Sequence, residues 1–209
     1  MGHVVLVGDS IFDNARYVPD RSPVIHQLRQ TLPPGWIASL LAVDGNITAD
    51  VATQLKKLPS DTTHLVVSVG GNDALSASSI LSAMTLTVGA ALSRIHKIHT
   101  DFQSSYRAML RSLSTVGKPT AVCSIYDTIP GLGAAEQAAL GGFNEVIFRE
   151  AFLAGMPVID LRVMFDQPSD YSPISPIEPS ELGGAKIVRA IAEIVTTHDF
   201  ESRRSMIYL

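Results

Sequence analysis

Short, nearly unbroken apolar runs recur along the chain at residues 4–7, 37–43, 64–69, 119–125 and 157–161. A strand with one face in water alternates apolar and polar positions, whereas a strand covered on both faces reads as a continuous β-branched run. The five segments therefore predict five central strands. Between them apolar residues return every three or four positions, over 24–32, 47–58, 79–116, 134–154 and 180–195, which predicts five helices with one buried face each. Strict alternation of strand and helix predicts an α/β protein: a parallel sheet with helices on both faces, because parallel neighbours are joined by right-handed crossovers. Pro33-Pro34-Gly35, Lys118-Pro119 and Gly155-Met156-Pro157 stand just before predicted strands, so these turns belong to the far end of the sheet. The carboxyl ends of the strands are then the place for a ligand crevice. The proline-rich stretch 166–179 has no apolar period and reads as a long irregular loop entering the last helix. No repeat or linker divides residues 1–209, which read as one domain.

Three polar turns fall at that crevice end. The first strand runs into Gly8-Asp9-Ser10, the second into Asp44-Gly45-Asn46 and the third into Gly70-Gly71-Asn72-Asp73. Each alone is an ordinary turn followed by a helix cap. Together they place a hydroxyl and several hydrogen-bond donors where the loops of a parallel sheet converge. A serine attacking an ester creates a tetrahedral oxyanion that needs two or three fixed donors. The Ser10 N–H, the Gly45 N–H and the Asn72 side-chain amide are of the right kind.

With these blocks in this order, the chain resembles the GDSL, or SGNH, hydrolase superfamily. Ser10 matches the serine of its first block, Gly45 the glycine of its second, and Asn72 within Gly70-Gly71-Asn72-Asp73 the asparagine of its third. The resemblance runs over the whole chain. It implies a flavodoxin-like three-layer α/β/α sandwich with strand order 2-1-3-4-5, activity on esters or thioesters, and no cofactor.

The last block departs from that pattern. The family carries Asp-x-x-His before the final helix, and here Ser175-Pro176-Ile177-Glu178 stands in its place. None of the six histidines falls at that position: His3 and His64 start strands, His26, His96 and His99 lie on predicted helices, and His198 follows the last one. All six are expected to pack or to face solvent. Glu178 is the candidate base, or else a first-turn acid that favours the helix dipole. An unperturbed glutamate titrates near 4.3 against about 6.5 for histidine, so a carboxylate base implies activity already level across the range where histidine titrates. Burial beside Ile174 and Ile177 acts to raise that value, and the helix N-terminus acts to lower it. Asp9, Asp73, Asp127 and Ser175 are further candidates to support the reaction, Ser175 by a hydrogen bond to Glu178.

Composition narrows the reading further. A net charge of −4 with sixteen scattered Lys and Arg gives no footprint for nucleic acid. The single cysteine, Cys123, sits in an apolar run and is expected to be a small core residue. The first apolar run starts without a basic leader and is too short for a signal peptide, and no run reaches the roughly eighteen residues of a membrane span, so a cytoplasmic protein is expected. With 6% aromatic residues and no amphipathic lid pattern, small accessible carboxylic esters are the expected substrates rather than lipid aggregates. No metal site is expected. The competing readings are a binding protein that keeps the crevice without turnover, and a flavodoxin-like nucleotide or FMN binder. The second is disfavoured because Gly8-Asp9-Ser10 lacks a longer phosphate loop.

Overall fold

The computed structural model describes all residues from Met1 to Leu209. It contains six parallel strands: β1 (His3–Gly8), β2 (Ile37–Leu40), β3 (His64–Ser68), β4 (Thr120–Cys123), β5 (Val158–Ile159) and β6 (Ile207–Tyr208). Their order is β2-β1-β3-β4-β5-β6. The expected order is present, and the expected count of five is corrected to six. The extra strand is two residues long and continues the sheet beyond β5, pairing Val158 with Ile207 and Ile159 with Tyr208. Such a short edge carries no periodicity to read.

Seven helices flank the sheet: α1 (Val24–Thr31), α2 (Val51–Leu55), α3 (Gly71–Ala77), α4 (Val88–Val116), α5 (Ala134–Leu153), α6 (Leu161–Met164) and α7 (Glu181–Thr197). Successive strand residues face opposite layers, as the pleat requires. Val4 and Leu6 join the core under α1 and α7, with Val66, Cys123 and Ile159. Val5 and Val7 join the core under α4 and α5, with Leu65, Val67 and Val158. Every residue of β1 is buried, which is why the sequence shows no alternation there. Cys123 is free and buried, and burial pushes its thiol upward.

Some expected elements are shorter. The 37–43 run pairs only to Leu40, because the Leu41 and Ala42 N–H groups both donate to the Leu6 carbonyl and the ladder ends. The 79–116 pattern is interrupted: a 3₁₀ turn spans Ser78–Ser82, and α4 begins only at Val88, where Thr87 accepts a hydrogen bond from the Ala90 N–H at 3.1 Å. The 47–58 pattern becomes a 3₁₀ turn at Thr48–Asp50 followed by the short α2. The 166–179 loop holds one 3₁₀ turn and a single antiparallel bridge, Tyr171 to Pro179. No helix is long and apolar enough to cross a membrane.

Candidate functional site

β1 ends at Gly8, with φ +129, where a Cβ would lie 1.8 Å from the Ser68 carbonyl oxygen. Only glycine allows β1 and β3 to approach so closely and the chain to turn into Asp9. The Asp9 N–H then donates to Ser68 O at 3.1 Å. Gln54 of α2 fastens the same turn, accepting from Gly8 N at 2.8 Å and donating to Gly8 O at 2.7 Å. Ser10 is thus delivered on a fixed backbone just beyond the strand, and it is buried.

The Ser10 Oγ donates to Glu178 Oε1 at 2.9 Å. These residues are 168 positions apart in sequence, and the loop that joins them in space is held at several points. Glu178 N donates to Ser175 O at 3.1 Å, and Glu178 O accepts from Ser172 N at 2.8 Å. On either side of Glu178, the Tyr126 hydroxyl donates to Ile177 O and Asn14 Nδ2 donates to Pro179 O. Asn14 is itself fully buried and caps α1 by accepting from Val24 N at 3.0 Å. Ser175 therefore serves Glu178 through its main-chain carbonyl. The side-chain hydrogen bond expected of it is not formed; the contact between the two residues is the main-chain turn bond.

The other Glu178 oxygen, Oε2, is buried without a partner. A carboxylate so placed is poorly solvated, and burial raises Glu178 to about 7, against the lowering effect of the Ser10 hydroxyl and with a further push from Asp44. The opposing pulls expected from sequence are thereby settled in favour of burial, although Ile174 is exposed and takes no part. Beside it, burial raises Asp9 to about 8, with the Ile11 N–H pulling the other way and Glu178 adding to the rise. At neutral pH Asp9 is mostly uncharged, which spares Glu178 a second negative neighbour.

Ser10, Asn72, Asp9 and Glu178 line one pocket of about 150 Å³, of whose 28 lining residues 18 are hydrophobic. Asn72 Nδ2 donates to the Asn46 carbonyl at 2.9 Å, which orients the amide and leaves its second N–H for the pocket. Gly45, with φ +83, is exposed and lies outside that lining. The Ser10 and Gly45 N–H groups take no part in backbone hydrogen bonding. Asp73 accepts from the Thr48 N–H and hydroxyl, both at 3.0 Å, and so ties α3 to the loop after β2. Asp127 is half-buried beyond β4, outside the lining, with burial raising its carboxyl.

The histidines fall mostly as expected. His99 is the exception, because it lines the pocket, with Nε2 bonded to Ala139 O at 2.9 Å and its ring edge-on to Phe143. At the opposite end of the sheet a second serine has a histidine. Ser39 Oγ lies 2.8 Å from His3 Nε2, and His3 Nδ1 lies 2.9 Å from Asp61 Oδ1. Ser39 lines neither of the two main pockets. Sequence reasoning missed the supports Asn14, Gln54 and Tyr126. Gln54 stands out in the structure as the one buried polar residue of Val51–Leu55, but neither it nor the others carry a distinctive local signal in the sequence.

No family model matches the chain, and no curated protein matches it in sequence. Its architecture does match solved structures. An extracellular lipase from Streptomyces rimosus is similar at 20% identity and a TM-score of 0.65, over 95% of this chain and all of that one. A member of the lipolytic protein G-D-S-L family from Veillonella parvula is similar at 14% identity and a TM-score of 0.67, over 95% and 100%. An acetyl xylan esterase from Geobacillus stearothermophilus gives 13% and 0.66, over 95% and 96%. The chain has the fold of these hydrolases.

Proposed function

We propose that the protein is a serine hydrolase of carboxylic esters that works through a Ser10 acyl-enzyme with Glu178 as its base. The observation that carries this reading is the 2.9 Å hydrogen bond from the Ser10 hydroxyl to a buried carboxylate raised to about 7. A general base is most effective when its pKa lies near the working pH, and burial gives this glutamate the basicity that a histidine would have brought. In the first step Ser10 Oγ attacks the ester carbonyl as Glu178 takes its proton. The oxyanion is held by the Ser10 N–H and the free Asn72 N–H; Gly45, exposed and outside the pocket lining, is left out of the expected set of donors. Collapse expels the alcohol, which receives the proton from Glu178. Water then attacks the acyl-enzyme, gives its proton to Glu178 and releases the acid, and Ser10 recovers its hydrogen. The lipase and esterase activities named for the structurally similar proteins support the same reaction class.

The test is burst and steady-state release of an aryl acetate, comparing the wild type with Ser10→Ala and Glu178→Gln. Loss of the burst in Ser10→Ala is expected. Turnover unchanged by that substitution would overturn the mechanism and leave a protein that binds in the crevice without this chemistry.

A further inference from the structure

The pocket holding Ser10 and Glu178 continues between α3, α4 and α5. Ala74 and Ala77 of α3 form one wall, Ile98 of α4 another, and Leu140 and Phe143 of α5 a third. All five side chains are at least partly buried against the core under α4 and α5. The two alanines hold the space open, because any larger side chain there would occupy it. His99, the polar group on this side of α4, has a ring nitrogen committed to the Ala139 carbonyl, which ties the wall it shares to α5. An acetyl group would leave this apolar surface unused.

From this geometry we infer that the pocket takes an apolar acyl group of about six carbons, a substrate class narrower than the small esters expected from sequence; the inference rests on the Ser10 reading above. The size follows from volume. The pocket encloses about 150 Å³, and an apolar cavity of about 150 Å³ holds one benzene, six carbons. Each methylene moved from water into such a wall is worth about fourfold in transition-state binding, provided it is buried. From acetyl to hexanoyl, four methylenes are gained, or about 200-fold in kcat/KM. Carbons beyond those the pocket encloses project past it and add nothing.

The experiment is a series of p-nitrophenyl esters, from acetate through butanoate, hexanoate and octanoate to dodecanoate, measured as kcat/KM on the wild type and on Ala77→Phe. The expected wild-type profile rises steeply to hexanoate and is level from octanoate onward. Ala77→Phe fills the pocket and lowers the hexanoate-to-acetate ratio at least about tenfold, and a thermal melt checks that the variant is folded. A profile that is flat or falling from acetate, or that climbs undiminished to dodecanoate, overturns the inference whether or not the variant folds. Calorimetric binding of hexanamide against acetamide to Ser10→Ala separates this from the hydrolytic reading, and the neutral amides avoid the Glu178 and Asp9 carboxyls. Hexanamide binding that Ala77→Phe weakens, without turnover of any ester, removes the hydrolysis and keeps the pocket. Turnover that needs Ser10 yet ignores chain length does the reverse.

Discussion

Two serines of this molecule are hydrogen-bonded to a base, at opposite ends of the sheet. Ser39 has the partners usually associated with a nucleophile, His3 and then Asp61, in one chain of 2.8 and 2.9 Å contacts. Ser10 has only a glutamate. Yet Ser39 lies within the edge strand β2, paired with Val5, and its aspartate is open to solvent. Ser10 sits past the end of a central strand, in an apolar pocket with spare N–H donors around it. Side-chain identities alone would favour Ser39, whereas the proposed function rests on Ser10. What distinguishes the two is the surroundings, since a hydroxyl becomes a nucleophile where an oxyanion is stabilised and a substrate is enclosed.

Substitutions at both places sharpen the contrast. The largest effect is expected from Ser10→Ala, with kcat/KM on aryl esters falling by a factor on the order of 10⁶ if nucleophile and base act as one unit. Appreciable residual turnover that disappears only with Ser39→Ala would reverse the comparison. Glu178→Gln keeps the shape and removes the basicity, for a loss of about 10² to 10⁴. Glu178→His is expected to give a modest gain at most, because the imidazole would find no carboxylate at Ser175 to orient it, and adding Ser175→Asp should improve it. In a pH titration, because burial raises Glu178 to about 7, the level profile expected of an unperturbed glutamate is replaced by one in which kcat/KM rises about tenfold per unit below pH 7 and levels off above it. A profile already level at pH 5 would show that Glu178 is not the base. The same titration is coupled to stability. Glu178 is raised from an ordinary 4.5 and Asp9 from 3.8 to about 8, so the folded state holds their protons more tightly than the unfolded chain does. The stability contributed by these two protonated groups should therefore be full below about pH 4 and be lost as the pH rises to about 8. Glu178→Gln should flatten part of that slope in denaturant midpoints and raise stability at pH 9. The smallest effect belongs to Ser39→Ala, with unchanged hydrolysis and a cost of about 0.5–1.5 kcal/mol for the lost hydrogen bond, read by urea unfolding.

The fold was legible because buried parallel strands leave unbroken apolar runs, and the crevice was legible because glycine-containing turns end the first three of them. The last candidate position was only half legible. Ser175-Pro176-Ile177-Glu178 identified the carboxylate by its place before α7, but its protonation depends on burial contributed by distant elements, so no count of neighbours in sequence could give its direction. Ile174, expected to help bury Glu178, is exposed, while Tyr126, 52 positions away from it, is what fastens the loop. Strand β6 and the late start of α4 escaped for local reasons: two residues are too few for a period, and helical spacing continues through a segment that Thr87 then recaps.

Cys123 turns the centre of the sheet into a self-reporting element. It is the only thiol in the chain, sealed within β4 on the strand that pairs with β3, and its ionisation is suppressed by burial and by the nearby Asp9. A thiol reagent cannot reach it in the closed protein and needs the thiolate to react. Its labelling rate therefore measures how often β4 opens, without any engineered probe. A ligand seated on Ser10 that binds only the closed protein should slow that clock by mass action, which makes occupancy of the pocket readable by mass, one adduct per molecule, even for compounds that are never turned over.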